Sequence, residues 1–409
     1  MACMLAGCCF RISAAEPGFL DSAQKTADFA SFCQFVEDEY AYFDVKKTDW
    51  ARACKRYALQ APDTAGRDAF TELLERALSE LYDHHAHLGT NTHQSYRLVP
   101  TQADLFATWT QGRPTISEVR SGTAAQLAGV TAGMEVVQIN GEATHSVVRS
   151  IEPATLSQPD PAARDWALQV ALAGRRHLGT VRLLTRTGDQ LREIEFVPLH
   201  PQASALLAHR MIAEVGYVRL NNSLGQQALV HAFDKALAEL PSAKALVIDL
   251  RDTPSGGNSL VARGIMGRLV ASMQAYQRHE LVSEFRSTGV RRIWDEYVVP
   301  RDLPFLKPVV VLVGRWTGSM GEGLAIGLNA IRGAPVLGQP MAHLLGANGE
   351  IVLPHSKIVV RIPTEKLFHI DGTPREAFVP TAITPVQSTR ITSDFELDAA
   401  VERAQRLSR

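Results

Sequence analysis

The sequence predicts an α/β protein, with a layered core that follows a helical domain and a β-rich domain. Three observations carry this expectation. Beyond Glu214, strand-like and helix-like stretches alternate over short connections. Residues 96–203 hold short strands bounded by glycine turns. Residues 21–95 repeat apolar residues every three to four positions.

In the helical segment the apolar stripe runs through Phe29, Phe32, Val36 and Tyr40. It resumes at Phe70, Leu73, Leu74, Ala77, Leu78 and Leu81. Tyr40, Tyr42, Phe43 and Trp50 read as packing anchors between the helices. In the middle segment, strands are expected over 114–119, 134–139, 179–187 and 191–197. A short glycine-bounded helix lies near 121–130, and Asn140-Gly141 marks a turn. In the core, strands are expected over 215–220, 245–250, 308–313 and 335–337, and helices over 226–240, 259–273 and 319–331. Residues 277–306 read as a hairpin arm, and 351–362 as further alternating β-structure.

Composition narrows the function. The chain has 409 residues, 45% hydrophobic and 21% charged, at net charge -1. That balance gives no footprint for nucleic acid or an anionic membrane surface. All five cysteines fall at or before Cys54, which argues against a thiol nucleophile or a zinc cluster. A Cys33–Cys54 disulfide is open in an oxidising compartment, but the reading favours two buried free thiols.

The stretch from Lys307 to Arg332 carries the chemistry. The buried-strand run Val309–Val313 leads through a turn to Ser319, which opens a helix. Such a turn lifts a hydroxyl out of the sheet, beside free N–H groups of the first helical turn that can hold an oxyanion. The alternative reading is a helix N-cap, with Glu322 completing a capping box. Upstream, Asp83-His84-His85-Ala86-His87 places three histidines within four residues. His84 and His85 are adjacent and point apart, and no further ligand set stands nearby, which argues against a metal. One of them as a general base fits better, since imidazole titrates near neutrality, and a solvated loop histidine is the alternative.

These residues meet known families. GTAAQLAGVTAGMEVVQINGE, Gly122 to Glu142, resembles the central signature of PDZ domains, which bind peptides by adding a strand to a sheet edge. The usual carboxylate loop is not evident there; Ala103 to Arg113 stand in its place. The Asp83-His84-His85 loop, the PDZ-like segment, Asp249-Leu250-Arg251 with Gly256-Gly257, the Thr317–Glu322 turn and Asp371–Pro380 follow in the order of the S41 serine peptidases. These are the tail-specific or C-terminal processing proteases and their tricorn-like relatives.

The resemblance implies a crotonase/ClpP-like core over 204–409 with an inserted PDZ-like domain over 96–203. It implies peptide-bond hydrolysis through an acyl-enzyme, with a polypeptide substrate and no cofactor or metal. It assigns Ser319 as nucleophile and the N–H groups of Met320 and of Gly256 or Gly257 as oxyanion hole. One branch of the family uses a lysine about 25 residues after the serine; here that stretch, Gly338–Gly349, has none. The tricorn-like branch implies His85 as base and Glu376 as the carboxylate that fixes its tautomer or polarises the network. His84 stands where that branch has a serine; Asp249, Arg251 and Glu322 are supporting residues, and His87 and His343 are rival bases. A silent binder of a peptide or hydrophobic ligand is the alternative function.

Leu5-Ala6-Gly7-Cys8 resembles a bacterial lipoprotein box, although only four residues precede it, with no basic region. It implies anchoring through an acylated Cys8 and a periplasmic or cell-envelope location. A frayed end of a cytoplasmic protein is the other reading of residues 1–20.

Overall fold

The computed structural model describes residues 19–198, 205–383 and 394–409. The lipoprotein-like segment, with Cys3, Cys8 and Cys9, lies outside them. No described helix is long and apolar enough to cross a membrane.

The apolar stripes of the first segment become helices α1 (Ser22–Glu39), α2 (Trp50–Ala58) and α3 (Gly66–Ser79). Asp21 caps α1 by accepting the Gln24 N–H at 2.8 Å, and the Gln24 side chain returns to the Asp21 N–H at 3.1 Å. Phe29, Phe32, Tyr40, Trp50, Phe70 and Leu74 bury together in one core, which also takes in Val360 and Ile362 from the far end of the chain. Strand β1 (His87–Leu88) follows directly. Cys33 and Cys54 are joined in a disulfide, which corrects the expectation of two free thiols. Packing of α1 against α2 brings their Cα atoms to 6.0 Å, within bonding reach.

The middle segment contains β2 (Leu105–Thr110), β3 (Arg113–Val119), α4 (Ala124–Leu127), β4 (Glu135–Ile139), β5 (Glu142–Ala143), α5 (Thr144–Ile151), α6 (Pro161–Ala173), β6 (Val181–Thr187) and β7 (Gln190–Phe196). Its sheet runs in the order β2-β3-β4-β6-β7, with β5 against β4. The sequence pattern does not reveal α6, because the helix is buried almost all round and lacks a polar stripe. The Gln169 side chain on α6 bonds both backbone groups of Ala107 on edge strand β2, at 3.2 and 2.7 Å.

The last segment is built from β8 (Leu207–Ile212), β9 (Val215–Leu220), α7 (Ala228–Ala238), β10 (Ala245–Asp249), α8 (Ser259–Met266), β11 (Gln274–Leu281), α9 (Val282–Thr288), β12 (Arg292–Val298), β13 (Val309–Val313), α10 (Met320–Arg332), β14 (Val336–Gly338), β15 (Ala347–Val352), β16 (Val359–Phe368) and α11 (Phe395–Leu407). One sheet runs β14-β13-β10-β9-β8, parallel except for β8. A second runs β1-β16-β11-β12, with β15 against β16. The expected hairpin arm is therefore more than an arm: α9 separates its strands, and β11 also pairs with β16. Buried residues on one face of the parallel sheet pack against α7, α8 and α10. The other face packs on α11 through Leu397, Ala400, Val401 and Ala404. This mixed α/β architecture, with its helical N-terminal region, matches the fold class read from the sequence.

Candidate active site

The parallel strands β10 and β13 end side by side, and the two turns that leave them build the site. Thr253 and Thr317 form a bridge between these turns, and the Gly318 N–H donates to the Thr253 carbonyl at 3.2 Å. The Thr317 hydroxyl donates to the Leu250 carbonyl at 2.9 Å, locking one turn to the other. Ser319 sits at the start of α10 with φ 51°, the left-handed region that non-glycine residues rarely occupy. Such strain persists only where the surroundings over-determine it. Here Glu322, fully buried one turn into α10, accepts the Ser319 N–H at 2.8 Å.

Gly256 lies against the serine. A Cβ there would fall 2.5 Å from the Ser319 Cβ, 2.9 Å from its hydroxyl and 2.8 Å from the Met320 nitrogen. The Gly256 N–H is engaged with the Thr253 carbonyl at 3.1 Å. Among the described residues, the N–H groups of Met320 and Gly257 have no backbone partner. Asp249 and Arg251 point elsewhere. Arg251 binds Asp249, Asp394 and Glu396, tying the end of β10 to α11, and the Tyr217 hydroxyl donates to Asp249 at 2.8 Å.

The histidine loop comes from the other end of the chain. Its two adjacent histidines part ways. The His84 ring lies 6.0 Å from Trp166, whereas His85 Nδ1 bonds the Leu345 carbonyl at 2.6 Å. A carbonyl only accepts, so in neutral His85 the proton sits on Nδ1 and Nε2 keeps its lone pair. Burial, and then the Arg375 guanidinium, push this imidazole down to about 3. The loop is held by Asp83, which accepts the His85 N–H at 2.9 Å and the Tyr40 hydroxyl at 2.8 Å. Tyr40, read as a packing anchor, thus also positions the loop.

Arg375, within the Asp371–Pro380 segment, has no role in the sequence analysis. It is 2% exposed and donates to the carbonyls of Leu344 and Gly346, both at 2.8 Å. It thereby sets the loop whose Leu345 carbonyl orients His85. The available signal was its position beside Glu376. Glu376 itself is raised above the usual carboxylate range, chiefly by burial, and its buried Oε2 has no hydrogen-bond partner among the described residues. The Tyr42 hydroxyl is buried as well, and Glu376 adds to the burial that raises it.

His343 lies closer to Glu322. Its N–H donates to Glu322 Oε1 at 2.9 Å, and its Nδ1 bonds the Glu376 backbone carbonyl. Burial lowers its imidazole as well. His87 Nδ1 bonds the His85 carbonyl at 3.0 Å. No hydrogen bond joins the Ser319 hydroxyl to His85 or His343, or the Glu376 carboxylate to His85.

Residues 214–385 match the model of peptidase family S41, and residues 21–79 match the tricorn protease C1 domain. No curated protein sequence matches the chain. Mature CPAF complexed with lactacystin is similar in structure at TM-score 0.58 and 13% identity, over 95% of this chain and 98% of that one. The photosystem II D1 C-terminal processing protease is similar at TM-score 0.57 and 16% identity, over 88% and 93%. At these identities the structural likeness is one of fold. The family match over the core, on a fold shared with proteases, makes this chain a serine-type peptidase, S41-like in its core.

Proposed function

We propose that the protein is an endopeptidase that cleaves polypeptides through an acyl-enzyme on Ser319. His85 Nε2 takes the hydroxyl proton as Ser319 attacks the carbonyl carbon. The N–H groups of Met320 and Gly257 hold the oxyanion. His85 then protonates the leaving amine, and water repeats the sequence to release the acid. Glu376 stabilises the imidazolium that forms between these steps.

The observation that carries this reading is the Ser319 turn: a strained residue at a helix start, with glycine backbone packed against its hydroxyl. The His85–Leu345 bond supports His85 as base, because it leaves the second ring nitrogen as a proton acceptor. The hydrogen bond from the Ser319 hydroxyl to His85 Nε2 then forms on substrate binding, as catalytic hydrogen bonds commonly tighten in the Michaelis complex. A second assignment of the base has its own support. Glu322 holds the His343 backbone beside that of Ser319, and His343 has a backbone acceptor at Nδ1 as well.

The middle domain is read as PDZ-like, receiving an extended segment or gating access to Ser319. It packs on the nucleophile turn: Trp316 donates to the Ala103 carbonyl at 2.8 Å, and Arg315 pairs with Glu118 at 3.0 Å. Acylation of Cys8 and an envelope location belong to the same proposal.

A fluorophosphonate probe tests the core claim. It should label wild type at Ser319 and leave Ser319→Ala unlabelled, with an unchanged melting temperature. An unlabelled wild type would favour the silent binder.

A further inference from the structure

His84 and His87 belong to the histidine loop but have no part in the proposed chemistry. Both line an open cavity of about 550 Å³ between α2, α3, the chain from Asp83 to Val99, and helices α5 and α6 with the residues that follow them. Ser319, His85 and Glu376 are not in its wall. Its volume lies within the roughly 300–1,000 Å³ of small-molecule sites.

The wall divides into two kinds of surface. Trp166, Val170, Leu88 and Leu98 supply an aromatic and aliphatic side. Arg176 supplies a cation. Its Nε donates to the Tyr96 carbonyl at 3.2 Å; among the described residues its terminal amino groups have no hydrogen bond and no carboxylate lies within ion-pair distance. His84, against Trp166, has no hydrogen-bond partner among the described residues. The acids in the same wall are mostly engaged. Tyr57 and Thr155 bond Glu80, Tyr40 and the His85 N–H bond Asp83, and Thr92 bonds Glu72. The Ser95 hydroxyl bonds Glu75, the acid that acts on Arg176 at longer range, and burial raises that carboxyl against the pull of Ser95 and Arg176. Among the described residues, Glu152 is the acid of this wall whose side chain has no hydrogen bond. A partly desolvated guanidinium with no directly paired carboxylate among the described residues, in one wall with Trp166, suits an anion with an apolar body.

We propose that this cavity binds a small carboxylate carrying an aromatic or branched apolar group, with its carboxylate on Arg176 and its apolar group on Trp166. A free organic acid and the end of a short peptide share this chemistry.

Titration calorimetry on the full chain tests it, and reads binding rather than hydrolysis, so its result stands apart from the peptidase proposal. The probes are 3-phenylpropionate, its uncharged amide, and a blocked tripeptide ending in a free phenylalanine carboxylate. At least one of the two acids should bind with a dissociation constant below about 1 mM, and the amide about tenfold more weakly or worse. Which acid binds separates the two sources. Arg176→Gln should weaken the acid about tenfold or more, Arg176→Lys should retain part of the affinity, and Ser319→Ala should change nothing. If Arg176→Gln lowers the melting temperature markedly, Trp166→Leu replaces it, with about a fivefold loss expected. Absent binding of both acids, equal binding of acid and amide, or loss in Ser319→Ala with retention in the cavity variants would each overturn the proposal.

Discussion

The Glu322 carboxylate grips Ser319 and His343 at once: one oxygen accepts the serine N–H at 2.8 Å, the other the histidine N–H at 2.9 Å. A helix cap at the nucleophile is thus also the clasp that holds the loop 339–346 against it. Burial drives this carboxyl up to about 7, against the pull of Arg375 and the three N–H donors.

A stability prediction follows from the sign of that shift. Between about pH 4.5 and 7 the folded chain keeps a proton on Glu322 that the unfolded chain has lost. The contribution is therefore full below about pH 4.5 and declines as pH rises through 7, by about 3 kcal/mol at most. Denaturant unfolding of wild type and Glu322→Gln at pH 5 and pH 8 measures it. Wild type should lose more stability between the two than the variant, and equal losses would contradict the assignment.

Gly256→Ala should damage the site more than the fold. The added methyl would meet the Ser319 hydroxyl at 2.9 Å, at a φ of +62° that disfavours any side chain. We expect labelling of Ser319 to fall by about 100-fold or more, as when an oxyanion-hole donor is removed. Labelling within threefold of wild type would show that the hydroxyl does not work from this position.

The two candidate bases separate by mutation and by pH. With His85 as base, His85→Ala should slow labelling by about 100- to 10,000-fold, and His343→Ala by less than tenfold. The opposite ranking would pass the role to His343. Because burial and Arg375 hold His85 near 3, its neutral, proton-accepting form survives well below the ordinary histidine range. In a Glu322→Gln background, which removes the titration near 7, the labelling rate should stay level from pH 8 down to about pH 5. An acid limb centred near 6.5 would mean a solvated histidine is the base.

Gln169→Ala should destabilise the chain by about 1–3 kcal/mol, since it strips both backbone groups of buried Ala107 of their partner. The same contact bears on peptide binding. Any strand added along β2 must first displace Gln169, so the variant should bind peptide at this edge more tightly than wild type, as read by fluorescence anisotropy. Unchanged peptide affinity would locate binding elsewhere or deny it.

By itself the sequence determines what depends on near neighbours. The run Val309–Val313 and the spacing of Leu324, Leu328 and Ile331 specify a buried strand and the helix that follows, so the strand-to-helix turn at Ser319 is legible without coordinates. The stripes from Phe29 to Leu81 specify α1 and α3 for the same reason. What joins distant segments is decided only by tertiary structure. Nothing local says that His85 meets the Leu345 carbonyl, that Arg375 sets that loop, that Gln169 closes the β2 edge, or that Cys33 reaches Cys54. Periodicity reports which face of an element is buried; which polar groups meet inside depends on how the closed chain packs, and partners hundreds of residues apart leave no mark on each other's neighbours.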